Sequence, residues 1–469
     1  MVAILGANSV SGGYEVSNSL RFNDNDSAKL SLAFGSGGNT KTWTVSCWFK
    51  RGVLSSRQSF LNVGSSGSEY MSLYIDSDDK LYWVTESGGN LYRIGSTALF
   101  RDPSAWYHIV FRQDTTDGTA NNRFRYYING VEVDTGVFNA QPTQNFDGKI
   151  GGNDTHYIGS NRDGTSEFMD GYLTEYHYLD GISYAPTFFG EFDDNGVWIP
   201  KRYTGSHGTK GFFLEFQQTG TSANSSGIGA DTSGNDNHFA PTNLAAQDVT
   251  TDTCTNNFAT LNFLDGSYDS KLSEGNLVLD TSAGGSDIFG RGTIGFSQGK
   301  WYWEVKSIIS GGHGNRKIVG VVDTETPVAH PRTVTSNPYT GVIVDLFDGD
   351  VFRNASGVSD AGTFATNDIV GILFDADNGL LRLQQNGSNL FSGNAVTTNA
   401  IDTTIFYLPY IAQDGGGTNN GKLFVNFGNP PAVFSISSGN SDANGHGNFE
   451  YAVPSGYFSI CSKNLAEFG

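Results

Sequence analysis

One loop of the sequence gathers side chains that can bind polar ligands. It reads "NDTHYIGSNRDG" and contains Asp154, Tyr157, Asn161, Arg162 and Asp163. An aromatic ring can pack on the C–H surface of a sugar, while amide, carboxylate and guanidinium groups hydrogen-bond its hydroxyls. The oxygens of Asp154, Asn161 and Asp163 are also donors that a hard cation such as Ca²⁺ prefers. Long β-loops are built from the same residue types without any ligand, so an ordinary loop fits the pattern as well.

Carboxylates elsewhere do not form the pair that cleavage of a glycosidic bond requires. A retaining glycosidase needs two carboxyl groups about 5 Å apart. Glu191 and Asp193 alternate in "GEFDDNG", but Asn195 and Gly196 follow where a second acid on the same strand face would be needed. We interpret this segment as a solvated acidic turn.

The other polar groups predict neither a metalloenzyme nor a nucleophilic enzyme. The eight histidines are scattered, and no His-Glu-x-x-His motif occurs. His108 lies inside a strand pattern, where packing explains it best. A nucleophile elbow needs a strand-to-helix turn, and no window of this chain has sustained helical periodicity. We therefore predict a binding or structural protein that is not an enzyme.

Strands must position these loops, because the composition is that of an all-β protein. Gly accounts for 61 of the 469 residues and aromatic residues for 13%, while charged residues make up only 16%. Runs of five to eight residues with apolar and polar alternation recur between clusters of Gly, Asn, Asp and Ser, the spacing typical of sandwiches and barrels. In "KTWTVSCWFKR", for example, Trp43, Val45, Cys47 and Phe49 share one face of a strand.

Two Asn-Gly turns are the strongest local indication of β-hairpins in the sequence. Asn129-Gly130 joins the alternating runs "FRYYI" and "VEV", and Asn386-Gly387 follows "LLRLQQ" in the second half of the chain. Asn-Gly favours a type I′ turn because both residues tolerate positive φ. One such hairpin in each half indicates that each half forms its own sandwich.

Charge and the N-terminus limit the partners. The formal net charge is −20, which disfavours binding to nucleic acid or to anionic membrane surfaces. Three scattered cysteines are too few for a disulfide framework. The N-terminal "MVAILGANSVSGG" has no basic region and too short an apolar run for a signal peptide or membrane insertion. We expect a protein made in a host cytoplasm.

The first half resembles a known family of binding domains. The elements "TVSCWFKR", "WYHIVF", "YYINGVEV", "YIGSNRDG" and "FMDGYLTEYHYLDG" follow one another in the order of a laminin-G/pentraxin-type jelly roll of the concanavalin A-like lectin superfamily. This resemblance implies a jelly roll over residues 19–216. Because such relatives often hold calcium and ligand in rim loops, it favours Asp154, Asn161 and Asp163 as a possible Ca²⁺ site. With Tyr157 and Arg162, these residues are our candidate glycan site.

The second half resembles a SPRY domain. The segments "GKWYWEV" and "DIVGILFDADNGLLRLQQNG" carry this likeness, which implies a second jelly roll over residues 265–469. Residues 217–264 between the halves are rich in Gly, Ser, Asn and Thr and predict a polar linker. Residues 1–18 are small and polar, and we expect them to form an N-terminal arm.

The two halves together resemble virion proteins of tailed bacteriophages. The phrases "DTSGNDNHFAPTNLAAQDVTTDTCTNNFATLNF" and "PSGYFSICSKNL" carry that likeness. It implies a virion structural protein, a tail fibre or tail-tip adhesin that binds host surface glycans beside other virion proteins, with a trimer expected by analogy. Two alternatives stay open, namely a head-attached decoration protein with a display or assembly role and a SPRY-type protein-interaction module.

Overall fold

The chain folds into two units whose regular secondary structure is almost entirely strand. The computed structural model describes residues 13–133, 135–138, 140–267, 272–280, 288–308, 316–325, 340–354, 356–397, 399–413 and 421–469. The units comprise Ser11–Thr255 and Asn256–Gly469. The prediction of an all-β protein built from antiparallel sheets is confirmed. No helix among the described residues is long and apolar enough to cross a membrane.

The first unit contains strands β1 to β18. Their bounds are β1 Ser19–Phe22, β2 Lys29–Ala33, β3 Thr42–Arg51, β4 Gln58–Ser66, β5 Glu69–Ile75, β6 Leu81–Ser87, β7 Asn90–Ser96, β8 Trp106–Asp114, β9 Phe124–Ile128, β10 Val131–Glu132, β11 Thr135–Phe138, β12 Thr155–Ile158, β13 Gly171–Asp180, β14 Gly190–Phe192, β15 Trp198–Pro200, β16 Phe212–Leu214, β17 Ala240–Thr242 and β18 Val249–Thr250. Short 3-10 helices occur at Asp24–Asp26, Ala120–Asn122, Pro186–Phe188 and Ala246–Asp248.

Two antiparallel sheets form the sandwich of the first unit. Sheet 1 has the order β10-β9-β8-β3-β13-β1-β18, with β16 paired to β13, and sheet 2 has the order β11-β7-β6-β5-β4-β12-β2-β17. The alternation predicted for β3 is confirmed, since Trp43, Val45, Cys47 and Phe49 are all buried in the core between the sheets. The Asn-Gly hairpin joins β9 to β10, and Asn129 has the positive φ that a type I′ turn requires.

The segment predicted as a linker belongs largely to the first sandwich. Within 217–264, strand β17 pairs with β2, and β18 pairs with β1. Asp252 is fully buried and forms an ion pair with Lys50, with 2.9 Å between Oδ2 and Nζ. The prediction of a polar linker between the halves is therefore wrong for residues 217–255, which belong to the first unit. The polar residues of this segment form hydrogen bonds within the fold. Composition alone does not distinguish such residues from polar residues that are exposed to water.

The predicted arm also contacts the first unit where it is described. Residues 1–12 lie outside the described residues. Val16 is buried, and its backbone N–H donates to Thr255 Oγ1 at 3.1 Å. Tyr14 OH donates to Glu175 Oε1 at 3.0 Å. Residues 13–18 are thus packed against the sandwich.

Among its described residues, the second unit contains strands β19 to β33, one α-helix and a short 3-10 helix at Phe391–Gly393. Their bounds are β19 Leu261–Ser267, β20 Leu272–Ser273, β21 Val278–Asp280, β22 Ile288–Gly292, β23 Lys300–Ile308, β24 Lys317–Asp323, β25 Gly341–Asp345, β26 Asp350–Arg353, β27 Ser356–Asp360, β28 Ile369–Asp375, β29 Leu380–Gln385, β30 Ser388–Asn389, β31 Tyr407–Gln413, β32 Lys422–Asn426, β33 Phe458–Ser459 and α1 Ser462–Phe468.

The second unit repeats the two-sheet design. Sheet 3 has the order β19-β22-β31-β24-β25-β26-β27, and sheet 4 has the order β20-β21-β32-β23-β28-β29-β30, with β33 parallel to β23. Trp301 and Trp303 of β23 alternate into the core, as their spacing predicts. The second Asn-Gly hairpin joins β29 to β30 at Asn386, which again has positive φ.

Candidate functional site

Sheet 2 has an apolar inner face and a tyrosine-rich outer face. In β5, Met71 and Leu73 point into the core, so Tyr70 and Tyr74 lie on the opposite face. In β6, Tyr82 lies on that outer face beside Tyr74, with ring centroids 5.6 Å apart. The two-residue period of the strands thus separates the core residues from a second, outward-facing aromatic cluster.

The pairing register extends the outer face across the sheet. Arg93 lies opposite Val84, Val84 opposite Ser72, Ser72 opposite Asn62, and Asn62 opposite Tyr157. Residues paired in this way share one face of a sheet. Tyr157, selected from the sequence, therefore stands beside Asn62 on the same face as the tyrosines.

Each of the three tyrosines is covered by a guanidinium group. The guanidinium carbon of Arg57 lies 4.5 Å from the ring centroid of Tyr74, and that of Arg93 lies 4.3 Å from Tyr82. The third pair is Arg162 over Tyr70 at 5.6 Å. These distances are those of cation–π contacts. The Tyr–Arg face is the name we give to this set of side chains, Arg57, Tyr70, Tyr74, Tyr82, Arg93 and Arg162.

Arg57 is fixed in place by two carboxylates. Its Nε and Nη2 donate to the two oxygens of Asp76 at 3.1 and 3.0 Å, and its Nη1 donates to Glu167 Oε1 at 3.1 Å. Burial acts to raise the pKa of Asp76, but hydrogen bonds from Arg57 and from the Ser77 backbone outweigh it, so this pKa lies below its ordinary value. Asp76 therefore stays ionised and holds the guanidinium over Tyr74.

A cleft of about 150 Å³ opens on this face. Tyr70, Tyr74, Asn62, Asn161 and Arg162 are among the residues that line it. Asn62 is 1% exposed and donates from Nδ2 to the Ser160 carbonyl at 2.6 Å. Its Oδ1 is buried without a hydrogen-bond partner among the described residues. Such an acceptor lacks the partner that a buried polar group ordinarily has.

The structure brings together only part of the site selected from the sequence. Asn161 and Arg162 line the cleft, and Tyr157 neighbours Asn62 in the register. Asp163 is exposed, its carboxylate 3.7 Å from Arg162 Nε, and is not a lining residue of the cleft. Asp154 is not a lining residue either, and its carbonyl accepts from His156 Nδ1 at 2.9 Å.

Two of the three side chains considered for Ca²⁺ have other roles in the loop. Asn161 Oδ1 accepts the backbone N–H groups of Thr165 and Ser166 at 2.9 and 3.3 Å. Asp163 faces the positive charge of Arg162. Within the described ranges, no group of three or more His, Cys, Asp or Glu side chains is arranged to hold a metal ion. The loop fits a structural turn better than a calcium cage.

Most residues of the cleft were not selected from the sequence. Arg57, Asn62, Tyr70 and Tyr74 come from strands or loops well before the 153–164 segment. The available signal was the alternation in "EYMSLYI" and "LYWVTES", in which tyrosines occupy the face opposite Met71 and Trp83. Only the register of the folded sheet joins this face to Asn161 and Arg162.

The outer face of sheet 1 differs, because chain segments cover it. Trp48, Trp106 and Trp198 are buried there. Trp198 Nε1 donates to His108 Nδ1 at 3.0 Å, and Ser46 Oγ lies 2.8 Å from His108 Nε2. Burial lowers the pKa of His108 to about 3, with a smaller contribution from nearby His177. The packing role predicted for His108 is confirmed.

The acidic segment after β13 belongs to this covering region. Glu191 lies in β14 and forms a partly exposed ion pair with Lys201, 3.0 Å between Oε2 and Nζ. Asp193 Oδ1 accepts the N–H groups of Asn195 and Val197 at 2.9 and 2.8 Å. These carboxylates serve an ion pair and a hairpin turn.

The first unit is similar in sequence to a known family. Residues 22–181 match the family model described as the Concanavalin A-like lectin/glucanases superfamily. No curated protein sequence matches the chain.

Three solved structures, each from a different organism, are among those similar to this chain. One is the SPRY domain of human HERC1, at 14% identity and TM-score 0.27, covering 34% of this chain and 91% of that one. A native heptameric SAP-like pentraxin from Limulus polyphemus has 16% identity and TM-score 0.28, covering 37% and 80%. Domains LG4-5 of the mouse laminin alpha1 chain have 10% identity and TM-score 0.31, covering 91% and 92%.

The family match and the sheet order agree on the architecture of the first unit. Residues 22–181 form a concanavalin A-like lectin/laminin G-like jelly-roll domain, a lectin-like fold that is consistent with a binding role.

Proposed function

We propose that the first unit binds carbohydrate in the cleft beside the Tyr–Arg face. The observation that carries this proposal is Asn62, a lining residue of the cleft whose Oδ1 is buried without a hydrogen-bond partner among the described residues. A ligand hydroxyl would supply the missing donor. Tyr70, Tyr74 and Asn161 add polar and aromatic surface around it, which is the composition of a sugar-binding cleft.

A glycan array with the full-length chain tests this proposal. We expect binding to a restricted set of glycans and a strong loss with Asn62→Leu, which keeps a similar volume but removes the acceptor. Asn90→Leu is a control for the same substitution at an exposed turn end of the same sheet, and circular dichroism checks that Asn62→Leu, which also loses the hydrogen bond to the Ser160 carbonyl, stays folded. No bound glycan, or equal loss with both variants, would overturn the proposal.

The biological role that we propose is host recognition by a tailed-bacteriophage virion. It is supported by the likeness of the phrases around residues 231–263 and 454–465 to phage virion proteins, together with the lectin-like fold of the first unit. In this role the chain would be a tail-fibre or tail-tip adhesin, trimeric by analogy, that contacts other virion proteins and a host surface glycan. Decoration of the head is the second candidate.

Immunogold electron microscopy of intact particles separates these roles. Antibodies raised against the full chain should label the tail end of an adhesin. Label over the head would favour decoration, and unlabelled particles would exclude a virion role. Mass measurement of the purified chain tests the trimer.

A further inference from the structure

The aromatic rings of the cleft do not present free faces to a sugar. Of the two tyrosines that line the cleft, Tyr74 is covered by the guanidinium group of Arg57 at 4.5 Å and Tyr70 by that of Arg162 at 5.6 Å. Neutral sugars ordinarily pack their C–H surface on an open ring. What this face offers to solvent is instead a row of guanidinium groups that lie over the tyrosine rings.

Two of these cations retain hydrogen-bonding capacity. Each nitrogen of the Arg57 guanidinium group already donates a hydrogen bond to Asp76 or Glu167. For Arg93 and Arg162, neither guanidinium group makes a hydrogen bond in the part of the chain that the structure describes, and because both Nε atoms are buried, a ligand would bind through the Nη groups. Their nearest carboxylates are Asp76, 3.9 Å from Arg93 Nη2, and Asp163, 3.7 Å from Arg162 Nε, both too far for a hydrogen bond.

We infer that the cleft recognises a carboxylate-bearing sugar of the uronic-acid type. A planar carboxylate fits the fork of a guanidinium group through two parallel hydrogen bonds. Arg162 would bind the carboxylate, and Asn62 Oδ1 would accept a hydroxyl of the same sugar, since both residues line one cleft. This inference rests on the proposed carbohydrate-binding function and narrows its ligand class.

The local charges are compatible with this ligand, although the chain as a whole is acidic. Asp76 and Glu167 are committed to Arg57, and the side chain of Asp163 is 54% exposed and well solvated. Burial and, to a smaller extent, the charge of Glu86 raise the pKa of Tyr70, and the three guanidinium groups of the face act against this rise. An incoming carboxylate therefore meets cations whose counter-charges are engaged elsewhere or screened by water.

A matched pair of ligands isolates the carboxylate. Isothermal titration calorimetry with the full chain would compare a tetramer of galacturonic acid with the same tetramer methyl-esterified. We expect the acid to bind at least tenfold more tightly, because esterification removes the charge and leaves the hydroxyls. A sialylated and a glucuronylated oligosaccharide, each beside its carboxyl-reduced form, cover other carboxylate positions.

Variants of equal exposure test the role of Arg162. Arg162→Gln and Arg162→Lys should each weaken binding of the preferred acid by about tenfold, since lysine keeps the charge but loses the fork. Arg125→Gln is the control, because the side chains of Arg125 and Arg162 are 31% and 30% exposed and each faces one acidic neighbour. It should leave binding unchanged. Circular dichroism verifies folding of all three variants.

The outcomes separate the inference of a carboxylate-bearing ligand from the proposed carbohydrate-binding function on which it rests. Equal binding of every acid and its neutral counterpart would overturn the carboxylate inference while carbohydrate binding stands. Tight binding of neutral glycans alone on the array would have the same meaning. Selective binding of an acid that Arg162→Gln does not weaken would remove Arg162 from the site. Failure of all glycans would overturn both proposals.

Discussion

The two outer faces of the first sandwich both carry aromatic side chains, but they differ in what covers those side chains. Sheet 1 turns Trp48 and Trp106 outward, and the chain buries them under its own segments around Trp198 and Asp252. Sheet 2 turns Tyr70 and Tyr74 outward and places arginine side chains over them. A face covered by the chain contributes to stability, whereas a face covered by long polar side chains stays accessible to a ligand.

The largest expected effect lies on the covered face. Trp198 is 5% exposed and stacks on His108 with 5.9 Å between ring centroids. Trp198→Ala should lower the free energy of unfolding of the first unit by about 3–5 kcal/mol. Tyr70→Ala on the open face should cost about 1 kcal/mol, since that ring keeps solvent contact. Urea unfolding of the full chain measures both, and equal losses would contradict the distinction between the faces.

The second largest effect is a loss of folding stability at low pH, which arises from histidines buried on the covered face. Burial lowers the pKa of His108 and His177 to about 3. As the pH falls below about 6.5, the unfolded chain binds protons that the folded chain does not, so stability is lost down to the folded pKa. At pH 4.5 the loss is roughly 2–3 kcal/mol for each histidine. His108→Gln should reduce the slope of stability against pH between 6.5 and 4.5.

Glu175 acts in the opposite direction on the same face. Burial raises its pKa to about 7, opposed by the hydrogen bond from Tyr14 and the charge of Arg202. Its contribution is therefore present below about pH 4.5 and is lost as the pH rises to 7. Two buried histidines outweigh one glutamate, so net stability should still fall with acid. A stability that rises steadily from pH 6.5 to 4.5 would show that the histidines are not buried in their neutral form.

A smaller effect on stability is expected for the open face. Arg57→Met removes the ion pairs with Asp76 and Glu167 but keeps part of the packing on Tyr74. Because the Arg57 side chain is 38% exposed, solvent screening limits the cost to about 1 kcal/mol. Glycan affinity should fall more than tenfold, since Arg57 orders the cleft wall. A loss of stability without a loss of affinity would make this arginine purely structural.

The smallest effect is expected for the exposed carboxylate of Asp163 beside the cleft. Asp163→Asn should change glycan affinity by less than about twofold, because its exposed carboxylate is only a screened neighbour of Arg162. A calcium chelator should likewise leave affinity unchanged, since Asn161 Oδ1 is occupied by the backbone of its own loop. Titration with and without chelator checks this, and chelator-sensitive binding would restore the calcium site expected from the sequence.

The sequence predicts strands and hairpins well because their causes are local. Alternation placed Trp43 and Trp301 in the cores, and Asn129-Gly130 marked its turn through backbone conformation alone. The linker prediction failed because polar composition does not show whether a group such as Asp252 bonds to solvent or to Lys50. Asn161 and Arg162 were found, but their partners in β4 and β5 are joined to them only by the pairing register.

Photoaffinity labelling tests the central claim, that the Tyr–Arg face is the ligand-binding face. A bound glycan carrying a diazirine would be crosslinked to the full chain, and the adducts mapped by mass spectrometry. We expect adducts within residues 57–93 and 157–167, with loss of labelling in Arg162→Gln. Adducts confined to residues 182–216, or to the second unit, would contradict the assignment of the ligand to sheet 2.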